Sequence, residues 1–264
     1  MRFRSPLVAA LLGTLLAPGL AAAGTGVLYE RALLAEADRR CRLFDPAVSA
    51  ALLAGVAQAR GAALRTEPPQ AVRTAEGRAL AKAARTPCAS PELQTAAARV
   101  RYAYAGWSRM RSMSFPGTTA SWRADRTVSP EPRWRLLQSS RLGDGEVLFG
   151  LAASAGEPPR LTAVARLRER PAYVRLRLPD GRAFIAGGRQ PAAKPLRPRG
   201  WGEPLAYRFP HAAAQALAGL DRGATVRLEF VSPTRKGEKA RTAAIEVGDF
   251  AAGQAFLALG GPAA

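Results

Sequence analysis

Ala172-Tyr-Val-Arg-Leu-Arg-Leu178, then Pro179-Asp180-Gly181, then Arg182-Ala-Phe-Ile-Ala186, is the stretch that decides the fold. Val174, Leu176 and Leu178 point one way and Arg175 and Arg177 the other, the period-two signature of a half-buried strand. Pro-Asp-Gly is a turn, so residues 182–186 return as the second strand of a hairpin. Further strands are expected at 121–125, 133–139, 146–152, 161–168, 206–209, 225–231 and 242–247, interrupted by short helices near 211–219 and 250–259. Many short strands bounded by turns point to an antiparallel β-sandwich or a partly open barrel.

Upstream the period changes. Residues 26–113 read as helices, and Phe115-Pro116-Gly117 marks the boundary. Leu34, Ala37, Cys41 and Phe44 share one helical face. Asp45-Pro46 and Ser90-Pro91-Glu92 each combine a capping side chain with proline at the first helical position. Helices are expected through 50–64 and 72–84, and a fourth carries Leu93, Ala97, Val100, Tyr104 and Trp107 on one face. The fold class is α+β, with a small helical bundle over 24–117 and a β-rich domain with short helices over 118–264.

Residues 1–23 read as a cleaved secretory leader: Arg2 and Arg4, an apolar run to Leu20, then Ala21-Ala22-Ala23. An uncleaved anchor is the alternative, but the run falls short of the roughly 20 residues a spanning helix needs. No later run reads as long enough to span a membrane. Removing the 23-residue leader from 264 leaves 241 residues, one large domain or two small ones. The leader implies a periplasmic protein in an oxidising compartment. There Cys41 and Cys88, the only cysteines, favour a disulfide over free thiols or a redox pair, since no C-x-x-C is present.

The net charge is +19, or +17 without Arg2 and Arg4. Lysine occurs only at 82, 194, 236 and 239, and the Arg- and Ala-rich bias is what a GC-rich genome writes. Such a field attracts polyanions in a salt-dependent way. In an envelope those are anionic lipids, lipopolysaccharide phosphates or acidic proteins, and specific nucleic-acid binding is not expected. Arg166 and Arg168 precede the Glu169-Arg170-Pro171 turn, and Arg175 and Arg177 follow it. If these strands pair, the arginines form one basic face, which Lys194, Arg197 and Arg199 in an exposed loop at 191–200 would extend. A solvated face with no ligand is the plainer reading of the same residues.

Catalytic signals are weak. His211 is the only histidine and opens a short helix. Ser154 lacks the first glycine of a nucleophile elbow, and Ser139 and Ser140 look like strand residues. There is no P-loop, dinucleotide fingerprint or zinc-protease motif, so no cofactor or metal is expected. Glu229, Glu246 and Asp249 lie near strand ends and could supply a carboxylate pair. Phe115, Trp122 and Trp134 sit at the boundary between the halves, either lining a groove there or packed in the core.

The last third runs Gly223-Ala-Thr-Val-Arg-Leu-Glu-Phe-Val-Ser232, then Arg235-Lys236-Gly237, then Thr242-Ala-Ala-Ile-Glu-Val-Gly-Asp-Phe-Ala-Ala-Gly-Gln-Ala-Phe256. It resembles the C-terminal part of the invasion-associated locus B family. Leu161-Thr-Ala-Val-Ala-Arg166 and Ala183-Phe-Ile-Ala-Gly-Gly188 share the cadence, and Trp122 and Trp134 fall near that family's early tryptophan. The resemblance covers about residues 119–260, with one extra residue in Gly248-Asp249-Phe250 and without the family's usual cysteines. It implies an exported β-rich envelope protein and no catalytic residues. The expected function is therefore non-catalytic envelope binding of an acidic protein or anionic lipid through the basic β face, with peripheral membrane contact. A carboxylate-pair hydrolase of envelope polymers and an assembly factor docking through the helical half are the alternatives.

Overall fold

The computed structural model describes residues 24–143, 145–167, 170–234 and 237–259. The leader at 1–23 and Arg168 lie outside them. The fold is α+β. Four helices come first: α1 (Thr25–Cys41), α2 (Pro46–Thr66), α3 (Pro69–Arg85) and α4 (Pro91–Trp107). The capping signals act as the sequence implies. Asp45 accepts the Val48 amide at 2.9 Å, Ser90 Oγ accepts that of Leu93 at 3.3 Å, and Pro46 and Pro91 open their helices. Cys41 and Cys88 are disulfide-bonded, joining the end of α1 to the turn before α4.

One expectation fails at α2. By length and composition this helix is apolar enough to cross a membrane, with a mean hydropathy of 1.4 over its best window. Here it is the central helix, touching α1, α3, α4 and the last helix, α6 (Phe250–Ala258), and burying Val48, Ala51, Leu52, Ala54, Ala59, Gly61 and Ala63. Small residues let its neighbours approach, which raises its apolarity without lengthening its side chains.

The β part is two antiparallel sheets packed face to face. One contains, in spatial order, β1 (Ser112–Pro116), β2 (Ser121–Asp125), β3 (Arg133–Leu142), β4 (Gly145–Ala153), β5 (Arg160–Ala165), β9 (Leu205–Arg208) and β8 (Gly188–Pro191). The other is β11 (Gly237–Glu246), β10 (Thr225–Thr234), β6 (Tyr173–Arg177) and β7 (Ala183–Ile185). Phe149, Leu161 and Ala163 from the first meet Val174, Leu176, Leu228 and Ile245 from the second in one core. Gln138 on β3 donates to the Glu246 carbonyl at 3.1 Å and accepts the Glu246 amide at 3.0 Å, fastening β11 to the larger sheet.

Two further helices complete the layers, α5 (His211–Ala218) and α6 (Phe250–Ala258). Phe250 and Phe256 of α6 enter the sandwich core, where Phe250 meets Trp122 edge-on at 4.9 Å, while the helix also packs on α2. α6 is therefore the seam between the helical and β parts.

The strand map differs from the sequence reading in three places. β1 begins at Ser112, inside the stretch read as helical, so the sheet starts before Phe115-Pro116-Gly117. β1 is an edge strand, where Pro116 costs no ladder hydrogen bond. β8 has no counterpart among the strands expected from the sequence; all four of its residues are exposed, which leaves no apolar signal. The loop at 191–200 is not wholly exposed: a short 3-10 turn, Lys194–Leu196, buries Leu196 against the larger sheet, and Trp134 Nε1 donates to its carbonyl at 3.0 Å.

Candidate functional site

The apolar stripe of α4 is only half covered. Leu93 and Ala97 are buried, but Val100, Tyr104 and Trp107, about one, two and three turns further along, are only partly so. They face a cleft of about 960 Å³ bounded on its other sides by α1 and α2, through Leu33, Leu34, Val48, Ala51 and Leu52. That volume lies within the range of small-molecule sites. A helix with this pattern ordinarily buries its whole stripe against protein.

Besides Arg101, whose Nη2 donates to the Leu43 carbonyl at 2.6 Å, α4 is held at its ends. At the start, the disulfide fixes Cys88, whose carbonyl accepts Gln94 Nε2 at 2.7 Å. At the finish stands Arg126, 1% exposed. Its Nε donates to the Phe256 carbonyl near the end of α6 at 3.0 Å, and Nη1 to the Ser108 carbonyl just past α4 at 3.2 Å. The guanidinium also lies 3.7 Å from the centre of the Phe256 ring. No carboxylate pairs with it among the described residues; the negative ends of two helix dipoles take that role. Burial still lowers its pKa.

The cleft carries three cations and two carboxylates, beside neutral polar groups such as Gln58, Thr86 and Ser90. Arg31 crosses α2 at Gly55, where no side chain intervenes, and donates to the Gly55 carbonyl at 2.8 Å. Burial lowers its pKa, partly offset by Glu30. Lys82 and Arg99 are the other cations of the lining; Glu30 and Glu92 are its carboxylates, and Glu92 is engaged by the Ser90 hydroxyl at 2.7 Å.

The expected basic ladder is not assembled. β5 and β6 belong to different sheets, so the strands before and after the 169–171 turn do not pair. Arg175 and Arg177 do share the outer face of the smaller sheet, but both bind Glu229 on β10: Arg175 Nη2 at 2.6 Å and Arg177 Nε at 3.1 Å. Burial pulls the Glu229 carboxyl up, yet the two arginines hold it below the usual range. Arg166 is exposed beyond the end of β5. Lys194, Arg197 and Arg199 lie in and just after the short 3-10 turn whose Leu196 joins Leu148, Val164 and Ala192 on the outer face of the larger sheet, the opposite side of the sandwich. Arg197 donates to the Gly202 carbonyl.

The groove residues are also elsewhere. Phe115 and Trp122 are fully buried in the core, and Trp122 Nε1 donates to the Val247 carbonyl at 3.0 Å; Trp134 packs on the far face. Each of the three carboxylates has its own partners. Glu229 is ion-paired as above. Glu246 accepts the amides of Thr118, Thr119 and Ala120 at 2.5, 2.8 and 3.0 Å, which hold its pKa low against the upward pull of burial. Asp249 is fully buried, with Arg65 and Arg222 each 3.5 Å away and no hydrogen bond to either oxygen, so desolvation raises its pKa to about 6. His211 is exposed at the first position of α5. Among the described residues no cluster of His, Cys, Asp and Glu could hold a metal ion.

Sequence reasoning missed the cleft, Arg31 and Arg126. The α4 stripe was visible, but periodicity reports an apolar face and not what fills the space against it. The chain matches no protein-family model, no curated protein and no solved structure.

Proposed function

We propose that this chain is an exported, non-catalytic binding protein of the cell envelope that takes an anionic amphiphile, its apolar part lying in the cleft between α1, α2 and α4. The observation that carries this reading is the half-covered α4 stripe facing about 960 Å³ of apolar-walled space. Arg31, Lys82 and Arg99 in the lining suit an acidic headgroup, and the net charge of +19 draws such ligands in. The leader-like residues 1–23, the disulfide and the resemblance to an exported envelope family support the compartment. Compared with the basic β face, the cleft is favoured because Glu229 already neutralises much of Arg175 and Arg177.

The test is titration of the mature protein with N-phenyl-1-naphthylamine, followed by displacement with a lysophospholipid. Saturable binding that is lost in Ala96→Trp, which fills the cleft, is expected. Equal binding by wild type and the filled variant overturns the proposal. An assembly role is the second reading, favoured by Leu53, Leu80 and Tyr102, which are 60%, 49% and 86% exposed on α2, α3 and α4. In that case Tyr102→Glu should abolish partner capture and leave dye binding intact.

A further inference from the structure

The geometry points to a second site, independent of the cleft: the pocket bounded by Arg160, Arg189 and Arg208 binds a phosphate-type oxyanion. These residues lie on β5, β8 and β9, which are neighbours in the larger sheet, and line one pocket of about 420 Å³. Arg208 stands opposite Thr162, and Arg160 lies two residues before Thr162. Both arginines therefore share a face as diagonal neighbours, close enough for their long side chains to meet.

No carboxylate lines the pocket. None of the three arginines makes an ion pair among the described residues, and Arg189 has only the Pro171 carbonyl, at 3.5 Å. Like charges gathered on adjacent strands repel, and an anion between them removes the penalty. In the β8–β9 register Arg189 stands opposite Tyr207, so it belongs to the other face of the sheet and bounds the pocket at its rim. The two guanidinium forks of Arg160 and Arg208 on one face suit a tetrahedral anion with several acceptor oxygens better than a single carboxylate.

The glycines make the room. Gly188 faces Arg208 across the β8–β9 pair. Gly187 and Gly188 have no positive φ, and a Cβ on either would meet nothing within 4 Å. Neither backbone conformation nor crowding requires glycine there, so what the two residues provide is an open floor.

Calorimetric titration with inorganic pyrophosphate tests the site, beside flotation with vesicles containing phosphatidic acid. Three variants are compared: Arg160→Ala/Arg208→Ala, Gly188→Leu, and Arg73→Ala/Arg85→Ala as a control that removes equal charge from α3. The first two should weaken binding about tenfold or more while the control stays near wild type. Pyrophosphate binding marks a free phosphate compound as ligand; vesicle binding alone, with the same variant pattern, marks a phospholipid headgroup. Equal losses in all three variants, wild-type binding by Gly188→Leu, or no binding of either probe by wild type overturns the site.

Discussion

Gly61 of α2 and Asp249 at the start of α6 form a seam that a double-mutant cycle can test. A Cβ at Gly61 would overlap Asp249 Oδ1 and lie 2.6 Å from Cγ and 2.9 Å from Oδ2. The carboxylate cannot swing into solvent, because it is fully buried between Arg65 and Arg222. Overpacking at such a site costs about 3 kcal/mol, while replacing glycine inside a helix returns about 1 kcal/mol. Gly61→Ala should therefore destabilise the wild type by about 2 kcal/mol. In an Asp249→Ala background the obstacle is gone and only the helix gain remains, so the same substitution should stabilise by up to about 1 kcal/mol. The expected coupling is about 3 kcal/mol with a change of sign. Urea unfolding of the four proteins, followed by far-ultraviolet circular dichroism and tryptophan fluorescence, measures it. Gly61→Ala costing the same in both backgrounds, or nothing in either, refutes the seam.

Asp249 also predicts a pH dependence. Its pKa of about 6 in the folded chain exceeds the ordinary 3.8, so its contribution to stability is fully present below 3.8 and is lost as pH rises through 6. The stability difference between wild type and Asp249→Asn should thus change by about 3 kcal/mol across that window, in favour of wild type at the acid end; a flat difference would contradict the assignment. Arg126→Met leaves the Ser108 and Phe256 carbonyls without their donor and should cost about 2–4 kcal/mol by chemical unfolding, whereas an unchanged midpoint would show that the clamp is dispensable. Cys41→Ser/Cys88→Ser opens a loop of sequence separation 47 and should cost about 4 kcal/mol, with hydrogen exchange rising in α4 before the sandwich. Uniform exchange would show that the bond does not specifically restrain α4.

Local chemistry made much of this fold legible. Asp45-Pro46 and Ser90-Pro91 marked two helix starts, and the alternation at 173–177 located β6. Pairing was less visible. Alternation tells which face of a strand is buried and not which strand lies beside it, so residues 160–165 and 173–177 looked like partners although they occupy different sheets. The mispairing carried the basic ladder with it, because Glu229, the residue that binds Arg175 and Arg177, lies 54 and 52 residues downstream of them in sequence. Asp249 left no signal of its role either, since its partner surface at Gly61 lies in the helical half. β1 and β8 were too short and too polar at their exposed positions to register.

Arg126 buries a positive charge against the carbonyl oxygens of two helix ends. The ion pairs elsewhere in the chain rest on carboxylates, at Glu36, Glu229 and Asp180 among others, and acid dissolves such pairs by protonating one member. A peptide carbonyl takes up no proton at any pH a cell envelope meets, and a guanidinium gives none up. The joint between α4, α6 and the sheet is therefore acid-proof: as the medium is acidified the surface pairs open first, while the end of α4 stays moored to the core.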